Sequence, residues 1–198
     1  MRYVPVLLFL VSAWASAAIH LKNTKMRKPL LTMSICGVLV SSLIAQLLFP
    51  QLLVLFRRDA TRIFAGEWWR IATPLLFQDG WLLGGITNIA TLCWIGSAVE
   101  QVRSRRNWLL IGFTGALIAE CIALRWQPSG AGNSVFTCSL AGSLASMRPY
   151  SAVSLTSWIL RFTALAVACF LLASRDIHGA AGIVGIILGM LLNENLVR

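Results

Sequence analysis

Twenty residues from Leu30 to Phe49, "LLTMSICGVLVSSLIAQLLF", pass without a single charge. As a helix rising 1.5 Å per residue, a run of that kind covers a hydrocarbon core of roughly 30 Å. Comparable runs recur along the whole chain, and charged residues gather mostly between them. In lipid the backbone must satisfy its own polar groups, so folding such a chain means packing helices against one another, not burying a soluble core. Composition agrees: 58% of the 198 residues are hydrophobic, 12% are charged, and the mean hydropathy is +0.76. The expected class is all-α, a polytopic membrane helix bundle whose first partner is the lipid bilayer.

Seven apolar segments are predicted, at about 3–19, 30–50, 81–100, 107–124, 133–147, 152–173 and 177–195. The fifth and seventh are rich in Ser, Ala and Gly, the composition of helices that pack closely inside a bundle. Residues 51–80 break the pattern with Arg57, Arg58, Asp59, Arg62, Glu67 and Arg70, and read as a long half-immersed loop anchored by Trp68, Trp69 and Trp81. A net charge of +10 would suggest nucleic acid in a soluble protein. Here the basic residues lie between spans, no basic domain exists outside them, and no nucleic acid is expected. The five cysteines sit inside apolar runs without Cys-x-x-Cys spacing, as small packing residues. No cofactor or metal is called for.

If the spans alternate, "KNTKMRK" (22–28), "RSRRN" (103–107), Arg148 and Arg198 share one face, with nine Lys and Arg against seven opposite. The positive-inside rule makes that face cytoplasmic and puts Ser134 and His178 near the outer one. Arg2, a short apolar core and "ASA" at 15–17 resemble a signal peptide. Cleavage would leave the Lys22–Lys28 cluster outside, so an uncleaved helix is expected. Residues 1–28 then form an extra N-terminal helix with a basic loop, and 29–198 a six-helix unit.

Two histidines are present, and His20 beside the basic cluster reads as a solvated interface residue. His178 opens the last span, where it and Asp176 could simply cap the helix. Ser134 follows Gly130, Gly132 and Asn133, at the start of a helix whose first turn offers free backbone N–H groups, which suits a developing oxyanion. Taken alone it could equally be a packing serine. Ser134, Cys138, Ala141 and Ala145 make a small-residue stripe, and Gly182, Gly185 and Gly189 make another. Two such stripes let their helices approach closely, which would put serine and histidine side by side, the minimum for covalent acyl transfer.

Several motifs occur together in one order: "GEWWRIATPLLFQDGW" (66–81), Asn88, "IGSAVE" (95–100), Gly132-x-Ser134, and His178 with Gly185 seven residues on. In order and spacing this set resembles the rhomboid intramembrane serine proteases, over about residues 30–195. The resemblance implies a six-helix core in a bacterial inner membrane, with Ser134 as nucleophile and His178 as general base in a dyad without a carboxylate. Asn88, Gly132 and Asn133 would position substrate or bind the oxyanion. The substrates implied are transmembrane proteins, cut near the outer membrane face. Trp69 and Arg70 would belong to a loop lying partly in the bilayer, and Glu100 would hold helix ends by hydrogen bonds. Glu120 reads as reaching interfacial water, Arg161 as snorkelling or pairing with a carbonyl, and Gln78 and Asp79 as lining a cavity open to the outside.

The chain departs from the family pattern in four places, one of them the segment "QDGWLLGGITN" (78–88), which is one residue longer than usual. Gly84 stands where a histidine usually precedes Asn88 by four residues, Val135 replaces a common glycine, and Cys138 replaces a common aromatic. A catalytically impaired relative that binds transmembrane clients, and a rhombosortase-type processing peptidase, are the alternatives these departures keep open.

Overall fold

The computed structural model describes residues 3–21, 27–147 and 154–192. Among them the apolar runs form helices, as satisfying the backbone in lipid requires. In chain order these are α1 (Tyr3–Leu21), α2 (Leu30–Leu48), α3 (Gln51–Phe56), α4 (Ala60–Phe64), α5 (Trp81–Val102), α6 (Arg105–Trp126), α7 (Ser134–Ala145), α8 (Leu155–Ala173) and α9 (Ile177–Leu191). Helices α2, α5, α6 and α8 are long and apolar enough to cross a bilayer. The chain is an integral multi-pass membrane protein. Arg2, Lys22, Lys25, Arg148 and Arg198, used above for orientation, lie outside the described residues, as do the side chain of His20 and the last segment beyond residue 192.

Helix α7 is the centre of the bundle. Every residue from Val135 to Ala145 is buried, and α9, α6, α5 and α1 all pack on it. Its small side chains permit this. A Cβ built on Gly142 would lie 2.2 Å from the Gly182 carbonyl oxygen, and one on Gly185 would lie 2.0 Å from that of Ser139. Helices α7 and α9 therefore cross in backbone contact, the close approach that small residues give to helices in lipid. The sequence stripe needs a shift of register. Cys138, Ala141 and Ala145 are buried, but the α7 residues that meet the α9 glycines are Ser139, Gly142 and Ser143, with Ser146 just beyond.

With 12 residues, α7 is about 18 Å long, well short of a 30 Å hydrocarbon core. The segment expected to span at 133–147 is thus a short inner helix. Arg103, at the end of α5, ties the C-terminal ends together, donating to the carbonyls of Ser143 (3.1 Å), Gly189 (2.9 Å) and Leu192 (3.1 Å). Counted back from that layer, Ser134 stands nine residues up α7 and His178 eleven up α9, or about 14 and 16 Å. The two side chains reach the same depth.

Helix α1 packs on α7 and α8, with Phe9, Ala13 and Ala17 wholly buried and the Trp14 ring 5.2 Å from Trp94 of α5. Glu100 accepts from the N–H groups of Leu31 and Thr32 and from the Thr32 hydroxyl, so it caps the first turn of α2. The stretch 51–80 is folded throughout: α3, α4 and two 3₁₀ turns, Trp68–Ile71 and Thr73–Leu76. Arg70 organises it from a fully buried position, donating to the carbonyls of Val54 and Arg57 and to the Glu67 carboxylate. Trp68, Trp69 and Trp81 are exposed, as interfacial anchors would be. Arg161 places its guanidinium 5.9 Å from the Trp158 ring centroid, a cation–π contact.

Candidate active site

The chain reaches Ser134 through a strapped turn. Strand β1 (Arg58–Asp59) pairs antiparallel with strand β2 (Ser129–Gly130). The Asp79 carboxylate accepts from the N–H of Ala131 (2.8 Å), and the N–H of Gly132 donates to the Pro74 carbonyl (3.0 Å). Gly130 and Gly132 both have negative φ, so the turn does not require glycine for its conformation. Space does. A Cβ on Gly130 would lie 2.8 Å from the Arg58 guanidinium, and one on Gly132 would lie 3.3 Å from Asn88 Nδ2 and 3.6 Å from Ser134 Oγ. Arg58 is ion-paired with Glu120 and donates to the Gln127 carbonyl. Glu120 is therefore buried in a pair tying the turn to α6, not dipping into interfacial water.

Behind the serine lies a chain of buried amides. The Asn133 side-chain N–H donates to the Asn88 backbone carbonyl (3.1 Å), which leaves Asn133 Oδ1 to accept from Gln78 Nε2 (2.9 Å). Gln78 Oε1 must then accept from Asn88 Nδ2, at 2.8 Å. Each amide orientation forces the next, starting from a backbone carbonyl that can only accept. Gln46 of α2 holds the Gln78 backbone in turn, donating to its carbonyl and accepting from its N–H, both at 2.8 Å. Asn88 Nδ2 keeps a second hydrogen beyond the one given to Gln78, and Gly132 leaves room beside it and Ser134 Oγ. Gln78 is fully buried and so does not line an open cavity. Asn133 is occupied by its neighbours, and Gly132 contributes space, since its own N–H is engaged.

Gly84 lies one turn before Asn88, and a Cβ there would meet nothing within 4 Å. No side-chain donor stands at that position, and a Cβ there would be accommodated. The first-turn N–H groups of α7 have no carbonyl within the helix to receive them, and the Asn133 side chain does not cap them.

His178 approaches from α9. Its Nε2 lies 2.8 Å from Ser134 Oγ, and its Nδ1 lies 2.6 Å from Asp176 Oδ1. The resemblance implied a pair without a carboxylate. This chain has one in contact with the ring. The link from α8 fixes the geometry: Arg175 adopts φ +56°, its N–H donates to the Leu172 carbonyl (3.0 Å), and the Asp176 N–H donates to that of Leu171 (2.9 Å). That is a Schellman closure with a non-glycine residue in the left-handed position, at a cost of about 1–2 kcal/mol. Arg175→Gly is expected to raise stability by about 1 kcal/mol, read as a higher unfolding temperature in detergent with activity unchanged.

Two features escaped sequence reasoning. Gln46 carries no role in the sequence reading and Gln78 is expected to line a cavity, although an amide inside an apolar run such as that around Gln46 is itself a signal. Asp176 was visible only as a helix cap. Among the described residues no group of three or more His, Cys, Asp and Glu side chains could hold a metal ion.

Fold and site together define a polytopic membrane helix bundle that holds a hydrogen-bonded serine and imidazole where α7 and α9 begin. The chain belongs to the rhomboid family: the Rhomboid domain model matches residues 65–198, from the folded loop through α9. Over 85 residues it is 32% identical to the Rhomboid protease GluP of Bacillus subtilis (strain 168), covering 41% of this chain and 16% of that protein. The chain thus matches only about a sixth of the length of that curated relative.

Proposed function

We propose that the protein is an intramembrane serine endopeptidase that cleaves transmembrane segments of other membrane proteins near the outer face of a bacterial inner membrane, with Ser134 as nucleophile and His178 as general base. The observation that carries this reading is the 2.8 Å contact between Ser134 Oγ and His178 Nε2, in a family whose relative is described as a protease. As Ser134 Oγ attacks the peptide carbonyl, its proton passes to Nε2 and the carbonyl electron pair moves onto oxygen. Asn88 Nδ2 and the first-turn amides of α7 are the donors for that oxyanion. The C–N bond then breaks, the leaving amine takes the proton from Nε2, and water releases the acyl group by the same steps in reverse order.

Residues 1–28 act in this reading as an extra transmembrane helix attached to a six-helix core at 29–198. The test is reconstitution of the purified chain in liposomes with a reporter transmembrane substrate, and mapping of a fluorophosphonate adduct. Cleavage with the adduct on Ser134 supports the proposal. An intact substrate and no adduct would leave the binding-only alternative, which the missing donor at Gly84 favours.

Gly84→His tests that departure directly. The added Cβ meets nothing within 4 Å one turn before Asn88, and one added hydrogen bond to the oxyanion is expected to raise kcat about tenfold, equivalent to about 1.4 kcal/mol. An unchanged kcat would mean that Asn88 and the backbone amides already suffice.

A further inference from the structure

We infer that Asp176 is a positioning residue for the reaction, holding His178 in the tautomer and orientation that make its Nε2 a base. This rests on the peptidase reading and deepens it from two residues to three. A carboxylate can only accept hydrogen bonds, so the 2.6 Å contact between Asp176 Oδ1 and His178 Nδ1 requires the ring proton to sit on Nδ1. A neutral imidazole then has its lone pair on Nε2, facing Ser134 Oγ at 2.8 Å. The opposite tautomer would set a ring lone pair against a carboxylate lone pair. When Nε2 takes the serine proton, the positive charge on the ring develops beside Asp176.

The position of the carboxylate is determined from both sides. The Asp176 N–H closes the end of α8 on the Leu171 carbonyl, and the side chain starts α9 by accepting from the backbone N–H of His178 at 2.9 Å. The residue therefore joins the last turn of one helix to the first turn of the next, and His178 hangs from that joint. Glu120 on α6 is a further charged group near enough to interact with the ring, and it is matched by Arg58. From α7 the uncharged Ser134 meets the ring, and the buried Cys138 is close enough to Asp176 to feel its charge.

A cap alone would not need this residue. Serine and asparagine start helices about as well as aspartate, whereas reaching Nδ1 with an acceptor that cannot donate takes a carboxylate of this length. Asp176→Ser keeps a capping oxygen and loses the ring contact. In the full chain it is expected to unfold at the wild-type temperature while kcat for the reporter substrate falls about 10²- to 10⁴-fold with KM little changed. Fluorophosphonate labelling of Ser134 should slow in parallel. Proton NMR supplies a readout that a cap would not move: the far-downfield N–H resonance of a carboxylate-bonded imidazole, present in the wild type and lost in the variant.

Wild-type kcat and labelling in Asp176→Ser would overturn the inference and leave Asp176 a cap. Should the serine variant not fold, Asp176→Asn, which caps equally well but permits the wrong tautomer, decides by the same resonance and by kcat. A wild-type protein that neither labels nor cleaves overturns the peptidase reading as well, so the two failures are distinguishable.

Discussion

Ser134→Ala and His178→Ala are each expected to lower cleavage of a transmembrane reporter by about 10⁴-fold or more, and the double variant to be no worse than either. The reason is that the two atoms 2.8 Å apart perform one act. Without Oγ no acyl-enzyme forms, and without Nε2 the hydroxyl keeps its proton, so the second loss removes nothing that the first left working. Fold should survive both changes. Ser134 occupies the first position of α7, His178 is partly exposed, and neither belongs to the backbone contact between α7 and α9. The measurement is kcat/KM in liposomes beside fluorophosphonate labelling and thermal unfolding. Undiminished cleavage by Ser134→Ala would sink the mechanism, whatever the serine's position.

How much of this is legible in the sequence depends on how local each feature is. Helices α2, α5, α6 and α8 follow from long, predominantly apolar runs, because in lipid such a segment has only one way to satisfy its backbone. Ser134 and His178 could be paired because glycine and other small residues mark both of their helices, and that chemistry is written in spacing. Register was not. Which α7 residues meet Gly185 depends on the rotation of one helix against another, and the answer, Ser139 in place of its neighbour Cys138, is set by packing on all sides at once.

The amide chain was hidden for the same reason. Gln46, Gln78, Asn88 and Asn133 come from four separate stretches, and only their meeting shows that each amide orients the next. Glu120 misled because a carboxylate near a helix end is ordinarily wet, and its partner Arg58 lies 62 residues away. Asp176 was read as a cap correctly but incompletely: the spacing Asp-x-His shows the cap, while the second contact depends on the ring's rotation toward Nδ1.

Gly185→Ala is expected to damage both stability and activity, although it adds a single methyl group. A Cβ at that position would lie 2.0 Å from the Ser139 carbonyl oxygen and 2.7 Å from its carbon. Both are backbone atoms, so no rotamer change relieves the contact and the helices themselves must separate, by about 1 Å or more to reach ordinary van der Waals distance. Overpacking of this kind costs about 1–3 kcal/mol, occasionally more. Because Ser134 and His178 ride on the same two helices, the displacement opens their hydrogen bond beyond useful range, and a misplacement of about 1 Å costs about 10²-fold in rate. Gly185→Val should leave no assembled bundle.

Gly37→Ala on α2 is the matched control, since a Cβ there meets nothing within 4 Å and a helix-interior glycine gains about 0.5–1 kcal/mol on becoming alanine. Thermal unfolding and reporter cleavage of the two alanine variants side by side decide the matter. If Gly185→Ala behaved like Gly37→Ala, α7 and α9 would not be in backbone contact, and the equal depth of serine and histidine would need another cause.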